Sequence, residues 1–278
     1  IKELREKTGA GFLDCKNALK ENNNNIEESI DSLRKKGLAK ASKKSSREAK
    51  EGAVGFFSND KISIILKINS ETDFSAKSDT FLDFLDLIGK IALKQNDKSL
   101  NLENFLNIKY NDKSVSDLLK EMIAKIGENL IINDLKIFSN KELNVNFYIH
   151  NPYRKNIGKI VSAVFFYSDT KNEEITTFSK NICMHIAASK PEAMDIDQLS
   201  STVIENEKKI QQEMIQDSGK PSNVMEKILK GKMKKYYSEV TLLNQNFVID
   251  PDKTIKEAIN DFNSLNKFDL KSYALISL

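Results

Sequence analysis

One junction constrains this chain more than any other feature. Ile62-Ser63-Ile64-Ile65-Leu66-Lys67-Ile68 is rich in β-branched residues, and a strand is the expected local structure. Phe81, Phe84, Leu85, Ile88 and Ala92 then recur with the period of a helix that buries one face. Between the two stands Thr72-Asp73-Phe74-Ser75-Ala76-Lys77, which sets an acid beside a large aromatic where strand gives way to helix. Loops at such junctions face solvent and carry function on a rigid base. On residue type alone, Asp73 or Asp79 caps a helix and Phe74 packs in the core.

Composition sets the frame for this junction. A chain of 278 residues is long enough for two or more domains. Its 30% charged and 40% hydrophobic residues are ordinary for a soluble protein. No apolar run approaches the roughly 20 residues of a membrane span, and Ile1-Lys2-Glu3 is not the start of a signal peptide. Ile1 in place of Met implies that a few residues precede it. Cys15 and Cys183 make no disulfide framework, which fits a reducing cytoplasm. A net charge of +3 is too small to imply nucleic-acid binding by the whole chain.

The periodicities give an α+β reading. Residues 1–36 form a small module of three short helices, broken at Thr8-Gly9-Ala10-Gly11 and at Asn22 to Asn25, with Asn25 and Glu28 as a capping box. Residues 37–51 read as a solvated basic linker with some helical character; Arg34 to Lys50 holds eight basic residues against one acid, Glu48. An RNA- or ribosome-binding role for 34–50 is the alternative reading, though no aromatic there could stack on bases. Residues 52–138 read as a hairpin, two helices (about 80–95 and 114–126) and a strand from Leu130 to Phe138. Residues 139–190 and 236–278 read as a second, related subdomain. Its strands run from Val145 to Ile149 and from Ile160 to Tyr167, joined by a long turn from His150 to Gly158, and a helix follows over 172–189. The two subdomains suggest an approximate duplication of antiparallel strands followed by a helix. Residues 191–235 read as an inserted helical hairpin of coiled-coil type, stopped in the middle by Gly219-Lys220-Pro221. Val203, Ile210, Met214, Val224 and Ile228 give it a thin apolar stripe. Val240 to Leu243 and Phe247 to Ile249 read as strands, 255–262 as a helix and Phe268 to Leu278 as a last strand.

The motifs resemble one family in order along the chain. Lys2-Glu3-Leu4-Arg5-Glu6-Lys7-Thr8-Gly9-Ala10-Gly11, then Asp14-Cys15-Lys16, Thr72-Asp73-Phe74-Ser75-Ala76-Lys77, Lys125-Ile126-Gly127-Glu128-Asn129 and Met184-His185-Ile186-Ala187-Ala188-Ser189-Lys190-Pro191 are similar to motifs of elongation factor Ts. Ser75 stands where that family usually has Val, and Phe12 and Leu13 where it often has Met. The resemblance implies a ubiquitin-associated-like amino-terminal module and a coiled-coil dimerisation insert at 191–235, hence a possible homodimer. Many members continue into a carboxyl-terminal helical module, which is not seen before Leu278. It further implies guanine-nucleotide exchange on elongation factor Tu, with contacts from Thr72, Asp73, Phe74, Ala76, Lys77, Ile126, Gly127, His150, Arg5, Phe12 and Leu13.

No catalytic constellation competes with this reading. There is no phosphate-binding glycine loop, and Cys15, Cys183, His150 and His185 lack zinc-ligand spacing. Cys183 and His185 are two apart on an expected helix and make a poor nucleophile–base pair. His185 is expected to be packed or hydrogen-bonded. His150, ending a strand beside Asn151-Pro152-Tyr153-Arg154, is expected on a loop. No covalent chemistry, cofactor, structural metal, membrane partner or specific nucleic acid is expected, and the chain is placed in the cytoplasm.

Overall fold

The computed structural model describes residues 1–8, 10–216 and 221–278, leaving aside the side chains of Leu38, Lys40 and Ser42. The breaks expected at Gly9 and at Gly219-Lys220 lie outside the described residues. Three helices open the chain: α1 (Lys2–Thr8), α2 (Phe12–Glu21) and α3 (Ile26–Lys44). Asn25 caps α3 by accepting from the backbone N–H groups of Glu27 and Glu28 at 3.1 and 3.3 Å. Leu4, Cys15, Ala18, Leu19 and Leu33 form the small core of these helices. α3 does not end near Lys36 but continues to Lys44, so the basic segment begins as helix. Its charge pattern hid the inward face, where Ala41 is buried.

The chain divides into two compact units. The first comprises residues 1–141, 151–161 and 276–278. Strands β1 (Glu51–Ser58) and β2 (Ile62–Ser70) pair in an antiparallel hairpin from Glu51 opposite Ser70 to Ser58 opposite Ser63. Asn59 closes its turn, its side-chain oxygen accepting from the N–H groups of Lys61 and Ile62 at 2.8 and 2.9 Å. After β2 come α4 (Asp73–Lys77), α5 (Asp79–Gln95), α6 (Leu102–Leu106), the short pair β3 (Lys109–Tyr110) and β4 (Lys113–Ser114), α7 (Val115–Ile126) and β5 (Leu130–Ser139). β5 pairs antiparallel with β2, with an irregularity between Lys67 and Ile68. α5 buries Phe81, Phe84, Leu85, Ile88 and Ile91 in one cluster with Phe57, Ile64, Leu66 and Ile68 of the hairpin. A glycine makes that packing possible: a Cβ on Gly89 would lie 2.2 Å from Cε2 of Phe57. α6 and the β3–β4 pair are too short and polar to show in the apolar periodicity.

The second unit comprises residues 142–150 and 162–275. Strands β6 (Asn144–Arg154), β7 (Ile157–Tyr167) and β10 (Asp269–Ser277) contribute to it, with β7 pairing both β6 and β10. Between them run α8 (Glu173–Ser189), α9 (Ser201–Gln216), α10 (Ser222–Val240), the pair β8 (Asn246–Phe247) and β9 (Asp250–Thr254), and α11 (Ile255–Phe262). Val164, Phe166, Ile175, Ile182, Ile186, Leu242, Ile255 and Phe268 form its core. Phe178 stacks on Phe262 at 4.1 Å and meets Phe268 edge-on at 5.2 Å. The strand expected over 240–243 is instead the end of α10 and a 3₁₀ turn, Leu242–Asn244. Pairing here is limited to one isolated parallel bridge between Ala193 and Thr241, after which the backbone N–H groups of Leu242 and Leu243 donate to the carbonyls of Ala193 and Met194, each at 2.9 Å. Both units combine antiparallel strands with packed helices, the α+β class.

Candidate functional site

The expected junction is built as two consecutive helix starts. β2 ends at Ser70, and Thr72 rather than Asp73 is the N-cap of α4, accepting from the N–H of Ser75 at 3.2 Å. Ser78 rather than Asp79 is the N-cap of α5, accepting from the N–H of Phe81 at 3.3 Å. Both hydroxyls stand one residue before the first helical position, where a short acceptor satisfies a free donor. The aspartates fall one place later, where they face the positive end of the helix.

Phe74 is 85% exposed, so the core reading of this residue is corrected by the structure. The cause is phase. α4 buries Ser75 and Ala76 against the hairpin, which turns Phe74 out to solvent. Asp73 and Lys77 flank it as an ion pair one turn apart at 2.9 Å. The Lys77 ammonium, which donates to its carboxylate, holds Asp73 below the usual aspartate range. Beneath them the Ser75 hydroxyl is buried and has no hydrogen-bond partner among the described residues.

A tether fixes this helix. The N–H and hydroxyl of Thr72 donate to the two carboxylate oxygens of Glu128 at 3.0 and 2.7 Å. The N–H of Asn129 donates to Glu71 at 2.6 Å. Asn129 in turn donates through its side chain to the Arg47 carbonyl at 2.6 Å. Gly127, with φ of 88°, ends α7 and sends the chain back towards Glu71 and Thr72; its carbonyl accepts from the Lys44 ammonium. So the turn that follows Ile126 and Gly127 is tied through Glu128 and Asn129 to Thr72 and Glu71, at the start of the helix that carries Asp73, Phe74, Ala76 and Lys77. The sequence reading passed over Glu71, Glu128 and Asn129 as site residues. The signal available was a Thr at a strand-to-helix junction, whose own N–H needs an acceptor.

Arg5, Phe12 and Leu13 lie on α1 and α2. All three are exposed, Phe12 by 56% and Leu13 by 66%. Arg5 and Phe12 line one shallow hollow of about 480 Å³ with Ile1, Lys2, Glu6 and Ala10. His150 belongs to the second unit and is not on a turn. β6 continues to Arg154, and only Lys155 and Asn156 separate it from β7. Asn151 adopts φ of 49° inside the strand. Asn tolerates that left-handed backbone, and a following Pro is admitted at such an irregularity, so a turn-like dipeptide sits within a strand. His150 is exposed, and its Nδ1 lies 3.2 Å from the hydroxyl of Tyr148.

Residues 71–277 match the family model described as elongation factor TS. Over 261 residues, 94% of this chain, it is 40% identical to elongation factor Ts of Allorhizobium ampelinum, covering 84% of that protein. The corresponding protein of Rhizobium etli is 41% identical at the same coverage of both chains. That of Rhizobium meliloti is 40% identical, with 94% and 85% covered. The chain belongs to the elongation factor Ts family. In this elongation factor Ts family member the two residues His185 and Cys183, which stand close in sequence, are both buried. His185 is buried; its Nε2 lies 2.9 Å from Oε1 of Gln245, and the N–H of Val248 donates to its Nδ1 at 3.3 Å. Burial lowers its pKa. Burial also pushes the Cys183 thiol far up, and Cys15 is buried as well. Among the described residues there is no cluster of His, Cys, Asp and Glu suited to a metal ion. Nor is any helix among them long and apolar enough to cross a membrane.

Proposed function

We propose that this chain is the guanine-nucleotide exchange factor of elongation factor Tu. The observation that carries the reading is Phe74: a large aromatic 85% exposed on a helix clamped at its start by Glu128. An exposed, rigidly mounted aromatic is the form of an interface anchor. Phe74 enters an apolar slot between helices of the GTPase, and the backbone that carries it displaces the elements ordering the Mg²⁺ shell. Mg²⁺ demands near-octahedral geometry, so small displacements weaken it. His150 acts on the phosphate-loop side, and Arg5, Phe12 and Leu13 give a further contact. By linkage, the factor by which this chain weakens GDP binding equals the factor by which GDP weakens its own binding. Stopped-flow release of labelled GDP from elongation factor Tu tests this. The expected result is a rate that rises with added chain; an unchanged rate would overturn the proposal.

The same reading supplies a homodimer through 191–235. Val203, Ile210 and Met214 of α9 and Val224 of α10 are exposed, a stripe the pair leaves uncovered. Sedimentation of a chain lacking this hairpin checks it, with unchanged mass as the refuting outcome. The alternative of RNA binding through 34–50 is weakened by what its cations do. Arg34 pairs with Glu121 at 2.8 Å, Lys44 binds the Gly127 carbonyl and Arg47 pairs with Glu71 at 3.6 Å.

A further inference from the structure

The outward face of α10 carries a charge pattern that the exchange reading does not use. Met233 is buried, and Met225, Ile228, Leu229 and Tyr236 are half-buried on the side that contacts α9. Opposite them, on one face, stand Lys227, Lys230 and Lys234, all exposed. Among the described residues none of the three has an ion pair; the nearby Lys235 pairs with Glu239 at 3.8 Å. Of the acids of the helix, Glu239 falls off this face, while Glu226 stands at its edge one turn before Lys230.

A second observation concerns Gly231, in the middle of the helix. It is exposed, and a Cβ built on it would meet nothing within 4 Å. Glycine in a helix interior costs stability relative to alanine, and no packing demand in this structure offsets that cost. Its neighbours along the surface are Lys227, Lys234 and Lys235, one turn before and after, with Lys230 beside it. The result is a gap in the helix surface with lysines at the neighbouring positions, where a backbone or phosphate can approach closely.

The geometry points to this face as a docking surface for the phosphate backbone of RNA. Lysine is depleted in protein–protein interfaces, and among the described residues of α10 Val224 is the single exposed large apolar side chain beside this face, too little for an apolar centre. Compact ammonium charges over about 10 Å of helix suit a run of phosphates instead. Such binding is independent of base sequence and falls with salt as counterions are released.

The test is fluorescence anisotropy of a labelled oligouridylate of about 20 nucleotides, titrated with the full chain. Three neutralised phosphates predict a salt slope near −2, a loss of about 16-fold between about 50 and about 200 mM salt. Lys227→Gln, Lys230→Gln and Lys234→Gln together should lower affinity at least about 10-fold at low salt and flatten that slope. Lys98→Gln, Lys109→Gln and Lys141→Gln together remove the same charge elsewhere and should change affinity less than about 2-fold. Gly231→Ala should raise the melting temperature by about 2–4 °C and still weaken RNA binding. Equal losses from the two lysine triples would reduce the effect to net charge and overturn the inference. So would a Gly231→Ala chain that binds RNA as before. Lysine variants that keep RNA affinity but slow GDP release would assign the face to an acidic protein surface instead.

Discussion

Phe74→Ala separates an anchor from a core residue in one substitution. A fully buried Phe removes about 150–250 Å² from water. At 85% exposure only about 30 Å² of that is gained here, worth about 0.8 kcal/mol at about 25 cal/mol per Å². Alanine returns about 0.5 kcal/mol of helix propensity in α4. The net change in folding stability is therefore within about 0.5 kcal/mol, a melting shift of about 1–2 °C for a chain of this size. A buried Phe would cost about 3–5 kcal/mol, or roughly 10 °C. Against elongation factor Tu the same variant should lose about 2–4 kcal/mol, a weakening of roughly 30- to 900-fold. Calorimetric melting and isothermal titration on one preparation measure both quantities. An early-melting variant that still accelerates GDP release at low temperature would refute the reasoning.

Three further outcomes follow from groups described above. Ser75→Val removes a buried hydroxyl that has no partner among the described residues and should stabilise the chain by about 1 kcal/mol in urea melts; a loss of that size would show the hydroxyl to be satisfied. Gly89→Ala should lower stability by about 1–3 kcal/mol although it improves helix propensity, because its Cβ meets the Phe57 ring, and Phe57→Leu in the same chain should recover part of the loss. His185 is neutral in the fold, with Nδ1 accepting from Val248, and burial holds its pKa below the ordinary 6.5. The unfolded chain then binds the proton first. Stability from this group is complete above about pH 6.5 and falls as pH drops below it towards the folded pKa. Urea melts at about pH 7.5 and 5.5 should show the fall; a flat or rising profile would contradict it.

The long periodic segments were legible. α5, α7, α8 and β5 lie within a residue or so of their sequence bounds, because each has a continuous apolar face whose period admits one structure. The miscast segments share a cause. At 36–44 charge masked a helix whose inward side is Gly37 and Ala41, two small residues with little hydrophobic signal. At 150–158 Asn151 and Pro152 read as a turn, yet the strand absorbed them as an irregularity. Within the candidate site, residue type put Phe74 in the core and the family resemblance put it outside. What decides its exposure is the rotation of a five-residue helix, which a single turn of sequence is too short to encode as periodicity. The tether through Glu128 is set 56 residues away from Thr72 in sequence and leaves no local trace.

α3 acts as a ruler. It begins in the amino-terminal module, passes α7 at Gly37, where a Cβ would lie 2.9 Å from that of Ala124, and ends beside the carbonyl of Gly127. Phe12 and Leu13 are thus held at a distance and an angle counted out in helical residues, not hung on a slack cord. Adding one residue between Gly37 and Leu33 would advance the module by about 1.5 Å and turn it by about 100°. Such a change alters no side chain of either contact, yet it would swing the two apart in phase. The length of this segment therefore sets the phase of the module as firmly as any side-chain contact.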